Sequence, residues 1–129
     1  MAEGIARARF PDLATYASAG TAAVRGATPT ATATAAAAEI GIDISPLRAV
    51  GLHEDIRPRP DRIYVMTTGH LDRVVAAFPG LTERVDLLDP EGEIADPYGF
   101  DIAVYRSTRD QIVDAIETRA REWRAAQSE

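Results

Sequence analysis

Apolar positions recur at a helical spacing from the start of the chain. In MAEGIARARF, Ile5, Ala6 and Phe10 share one stripe, while Glu3, Arg7 and Arg9 fill the rest of the surface. No Ser, Thr, Asp or Asn cap and no strand precedes this helix. After Pro11 and Asp12, LATYAS (13–18) predicts a short strand, and the stretch to Pro29 predicts a loop with Gly20 and Gly26. The Ala-rich run 30–41 predicts a helix stopped by Gly41. Residues 42–52, interrupted by Pro46, fit a helical turn or an extended piece, and 53–60 a loop. RIYVM (62–66) predicts a strand buried on both faces, as in a parallel sheet. Thr67 or Thr68 then caps a helix that runs to Phe78 and stops at Pro79 and Gly80. VDLL (85–88) predicts another strand, and DPEGEIADPYG (89–99) an acidic loop. In the last segment Ile102, Tyr105, Ile112, Ile116, Ala120 and Trp123 fall near one helical face.

The predicted order is helix, strand, helix, strand, helix, strand, helix. Such alternation implies an α/β layer fold whose helices cross over a parallel sheet. Folds of this kind normally begin with a strand, against which the first helix packs. The pattern is that of an α/β protein without its first strand. No repeat or composition break divides it, so residues 1–129 are expected to form a single domain.

Composition narrows the possible functions. The chain is 46% hydrophobic and 26% charged, which fits an ordinary globular protein able to bury a core. Its net charge of −6 argues against nucleic acid or an anionic membrane as partner. No signal peptide and no bilayer-spanning segment is evident, so the cytoplasm is the expected location. There is no cysteine, which excludes disulfides, thiolate metal sites and a thiol nucleophile within these residues. The two histidines, His53 and His70, lie apart with no spaced ligands around them. HED (53–55) reads as a solvated loop and His70 as a capping or packing residue. No metal and no cofactor is expected. GxGxxG, Walker A and GxSxG patterns are all missing.

The loop 89–99 carries the strongest chemical signal. It follows the last strand, at the carboxyl edge of the sheet, where open α/β folds place ligands. An Asp in an Asp-Pro turn beside an aromatic ring can serve as a general acid. ADPYG alone is more often just a turn, because Asp and Pro are standard turn residues.

Taken in order, the segments match a known pattern. MAEGIAR, SAGT (18–21), EIGID with SPLRA (39–49), DRIYVMTTGHL (61–71), DPYG (96–99) and VYRSTRDQIVDAIE resemble the low-molecular-weight protein tyrosine phosphatases. That family includes bacterial protein arginine phosphatases and related arsenate reductases. The resemblance implies a three-layer α/β/α phosphatase-like fold, N-terminally truncated. Family members have a first strand and a C-x5-R-S-P phosphate loop, whose Cys is the nucleophile, ahead of the first helix. It implies Asp96 as general acid, Tyr98 as the wall beside the substrate, and Ser18 as a polar support of the phosphate loop. The partner implied is a phosphorylated protein, through phosphotyrosine or phosphoarginine; the oligomeric state is left open.

Some positions depart from the family pattern. Gly99 replaces a second aromatic, no Trp or Tyr follows SAGT around 22–24, Leu47 stands for a common His and Val50 for a common Arg. Gly99 and GATP (26–29) are similar to the arginine-phosphatase branch. The absence of resolving cysteines counts against thioredoxin-linked arsenate reduction. Without the nucleophile the chain is expected to be inactive alone. The alternatives are a non-catalytic phosphatase-like binding protein or a truncated arsenate reductase. The family's strand order, 2-1-3-4, makes strand 1 interior. Strands at 13–18 and 62–66 would then lack their shared neighbour, and poor independent stability is expected unless they pair directly or another chain fills the gap.

Overall fold

A computed structural model describes residues 1–21, 24–52 and 59–128; His53–Asp55 and the first two residues of 22–24 therefore lie outside the described residues. Its helices are α1 (Ala2–Arg9), α2 (Ala31–Ala38), α3 (Thr68–Ala77) and α4 (Ile102–Gln127), with strands β1 (Ile63–Val65) and β2 (Val85–Leu87). A 3-10 turn, Pro79–Arg84, joins α3 to β2. Three helices begin where a polar side chain can take an orphan amide. Thr30 accepts the Ala33 N–H, Thr67 the His70 N–H and Asp101 the Val104 N–H. α1 has Met1 at its cap position and no side-chain bond there.

β1 and β2 pair in parallel, with Ile63 opposite Val85 and Val65 opposite Leu87. Strand alternation sorts their side chains into two cores. Ile63, Val65, Val85 and Leu87 pack with Val74, Phe78 and Leu81 on the α3 side. Tyr64, Met66 and Leu88 pack with Ile5, Ile94, Ile112 and Ile116 on the other. The sheet is therefore sandwiched between α3 on one face and α1, α2 and α4 on the other, which is the α/β/α arrangement expected. Val65 is buried, whereas Ile63 and Tyr64 are half-buried, so this strand is less enclosed than its apolar run suggested.

The strand expected at 13–18 does not form. A strand exists only with a ladder partner, and β2 is the one ladder partner of β1 among the described residues. Residues 13–18 run irregularly, tied by single bonds. Arg7 donates to the Tyr16 carbonyl (2.6 Å), the Tyr16 hydroxyl to the Phe10 carbonyl (2.7 Å) and Gln127 to the Leu13 carbonyl (2.7 Å). Parallel pairing resumes only as an isolated bridge, Gly20 with Gly51. Direct pairing of 13–18 with β1 is absent among the described residues. Trp123 instead lies between them, its ring centroid 6.0 Å from Tyr16 and 5.8 Å from Tyr64, and its indole N–H donates to the Tyr64 hydroxyl at 2.9 Å. Residues 42–52 turn at Ser45, whose N–H meets the Asp43 carboxylate (2.9 Å), and bury Ile42 and Ile44. Gly4 permits this: a Cβ there would stand 2.6 Å from the Ile44 methyl.

Two basic residues of α4 whose charge suggests solvent are buried, Arg109 and Arg119, each at helical spacing from the apolar stripe. Arg109 donates to the Ala36 carbonyl (3.0 Å) and to Glu39 (2.8 Å), and Arg106 grips the same carboxylate from Nε (2.9 Å) and Nη2 (2.6 Å). The Arg106 hydrogen bonds chiefly hold the Glu39 carboxyl down at about 2, against an opposing desolvation that ranks second and with Arg109 adding to the lowering. A carboxyl depressed on folding stabilises the fold above its unfolded pKa of 4.5, and the contribution is lost as pH falls toward 2. Wild-type and Glu39→Gln melting temperatures should therefore differ at neutral pH and converge across that window. A gap undiminished at the acid end would show that this carboxylate does not join α2 to α4.

Candidate functional site

The carboxyl ends of β1 and β2 face a shared edge, and the chain returns there twice. Leaving β2, Leu88 donates to the Val65 carbonyl (2.8 Å), and Ile94 to the Met66 carbonyl (2.9 Å). Ile94 is 2% exposed, so the loop is anchored in the core directly before the Asp96 turn. Asp96 Oδ1 accepts the Tyr98 N–H at 3.0 Å, and Phe100 donates to the Pro97 carbonyl at 3.0 Å. The turn closes because Gly99 adopts φ +85°, a backbone region costly for other residues. Gly99 thus has a conformational reason independent of any second aromatic. Asp96 is exposed and Tyr98 is 71% exposed, which leaves both free to meet a ligand.

Ser18 reaches the same region from the irregular segment. Its hydroxyl donates to Glu3 of α1 (2.5 Å), whose other oxygen pairs with Arg7 at 3.1 Å. Ser18 is thereby tied to the first turn of α1. Ser18, Asp96 and Tyr98 all line one cleft of about 460 Å³, with Met1 and Ala2 at the head of α1. This volume falls in the usual range of small-ligand sites. The positive end of the α1 dipole borders the cleft, an arrangement that favours anions. Its floor is apolar, with Ile44, Met66, Ile94 and Ile112; polar groups include Thr28, Thr30, Arg48 and His70. Among the described residues no group of three or more His, Cys, Asp or Glu side chains is placed to hold a metal ion.

Arg48 and His70 were not singled out as site residues by the sequence. Arg48 is exposed and donates from Nη1 to the carbonyls of Ser45 (2.7 Å) and Leu47 (2.8 Å). His70 is the third residue of α3, directly after the carboxyl end of β1. Its position at the sheet edge was the available signal, because the Thr67 cap fixes where that helix starts.

Known proteins are similar to this chain in sequence and fold. A protein-arginine-phosphatase of Geobacillus stearothermophilus is 31% identical over 108 residues, covering 80% of this chain and 72% of that one. The solved YwlE arginine phosphatase from Geobacillus stearothermophilus superposes with a TM-score of 0.91 at 27% identity, covering 98% of this chain and 84% of that chain. A low molecular weight protein tyrosine phosphatase from T. tengcongensis gives 0.85 at 28% identity, with 94% and 88% covered. The pattern that defines one family matches residues 1–128, and the chain belongs to it: the low molecular weight phosphotyrosine protein phosphatases.

Proposed function

We propose that residues 1–129 act as one domain that forms the acid and substrate-facing side of a protein phosphatase active site. Asp96 is the general acid that protonates the leaving group, and Tyr98 flanks the phosphorylated side chain. Ser18 supports the phosphate-binding loop. The observation that carries this reading is the convergence of Ser18, Asp96 and Tyr98 on one cleft at the head of α1. The substrate is a phosphorylated protein, with phosphotyrosine and phosphoarginine as the two classes; similarity to an arginine phosphatase supports the second. The site of action is the cytoplasm, in keeping with the finding that no described helix is long and apolar enough to cross a membrane.

The family reaction begins with a cysteine thiolate attacking phosphorus, activated at a helix N-terminus. These residues contain no cysteine. Taken alone they lack the attacking group, and their cleft supports binding of a phosphorylated protein without hydrolysis. The test is to join a strand and a C-x5-R-S-P loop ahead of Met1 and to follow phosphate release from phosphotyrosine and phosphoarginine peptides. The extended protein should turn over, and the 129-residue chain should not. Turnover by the shorter chain, or none by a folded extended protein, would sink the reading.

A further inference from the structure

The chain between β2 and the Asp96 turn has no regular structure, yet it is fastened on three sides. Ile94 joins it to the end of β1, as described. Glu93 reaches across to α3, where its Oε2 accepts both the Thr68 N–H (2.8 Å) and the Thr68 hydroxyl (3.2 Å). That amide belongs to the first turn of α3 and has no acceptor within its own helix. Thr67 serves the His70 amide, so the helix start is shared between its own cap and the loop. From the other side, Gln111 of α4 donates through Nε2 to Asp89 Oδ2 (3.0 Å) and to the Glu93 carbonyl (3.1 Å). The second Asp89 oxygen accepts the Glu91 N–H at 2.9 Å. The Gln111 bond first, and the Glu91 amide next, hold the Asp89 carboxyl below its usual range.

Ordering an irregular segment costs backbone entropy at every residue, so several bonds are needed to hold one geometry. Asp96 follows Glu93 by only three residues. Where Glu93 and Ile94 are fixed, the Asp96 turn has little freedom left. We propose that Glu93 and Gln111 are positioning residues, clamping the loop to α3 and α4 so that the Asp96–Tyr98 turn stays at the mouth of the cleft. The inference rests on Asp96 being the acid, but its test requires no turnover.

Amide hydrogen exchange, followed by NMR on the 129-residue chain, reads the clamp directly. In Gln111→Ala and Glu93→Ala the amides of Ile94, Tyr98 and Phe100 should exchange about tenfold faster, the scale of a lost charge-assisted hydrogen bond. Ile112 and Ile116 in α4 should stay near their wild-type rates. Glu93→Gln keeps an acceptor for Thr68 and should restore most of the protection. The chemical shift of the Tyr98 amide, which senses the Asp96 oxygen, should move in both alanine variants and stay near its wild-type position in Glu93→Gln. If an alanine variant does not fold, Glu93→Asp withdraws the carboxylate by one methylene and serves the same purpose. Unchanged exchange at 94–100 overturns the clamp, and so does equal acceleration through α4. Either result leaves the phosphatase reading standing, since that reading is decided by turnover of the extended protein and of the 129-residue chain.

Discussion

Asp96→Asn, in a protein extended by the phosphate loop, is expected to slow phosphoenzyme formation by about 10²–10⁴-fold, the usual worth of general acid catalysis. Asparagine keeps an oxygen for the Tyr98 amide, so the turn that holds position 96 is retained. Only the transferable proton is lost. The size of the loss should therefore follow the leaving group. An alkoxide or guanidino group needs that proton as its bond to phosphorus breaks, whereas a nitrophenolate leaves without it. Rates measured with a series of leaving groups should diverge most at the basic end. A uniform loss across the series, or none at all, would remove Asp96 from the chemistry.

Arg119→Ala lowers stability by about 3 kcal/mol, a large share of the 5–15 kcal/mol that holds a domain together. Arg119 is enclosed, its side chain 7% exposed, and it serves the end of β2. Nε donates to the Leu88 carbonyl at 3.1 Å, and Nη2 to the Leu87 carbonyl. The guanidinium also lies 5.1 Å from the centre of the Tyr64 ring. Its carboxylate neighbours contribute less. Asp86 and Glu122 are 64% and 51% exposed, so water screens both pairs. The cost comes mainly from carbonyls that lose their donors, each about 1–3 kcal/mol where water does not replace the bond. Arg119→Met separates the causes, since it fills the space of the stem without donating. Urea unfolding of the two variants should give similar losses. A loss below about 1 kcal/mol would mean that water satisfies both carbonyls.

The helices were legible because their signals are local. Thr67 caps α3 as its position suggests, Thr30 and Asp101 cap α2 and α4 without having been expected to, and most of the predicted face of α4 is buried. Strands were legible only where a partner stands beside them. LATYAS has strand-like residues but no ladder to join, and no local pattern reveals that. Arg109 and Arg119 were hidden for the opposite reason. Charge normally marks solvent, and only the fold brings main-chain carbonyls within their reach. The candidate site divides in the same way. Asp96, Pro97 and Tyr98 form a continuous motif, and Gly99 explains how it turns. Arg48 and His70 enter the cleft from separate segments, SPLRA and DRIYVMTTGHL, whose resemblance to the family gave neither residue a role in the site.

Trp123 is the sole tryptophan of the chain, and it stands between the irregular segment and the first strand with a tyrosine on either side. An indole so placed makes the protein its own optical gauge. Whatever strand or ligand enters beside Tyr64 changes the polarity around that ring and the coupling between the three chromophores. Such an entry can therefore be followed in emission, in real time, without attaching a dye.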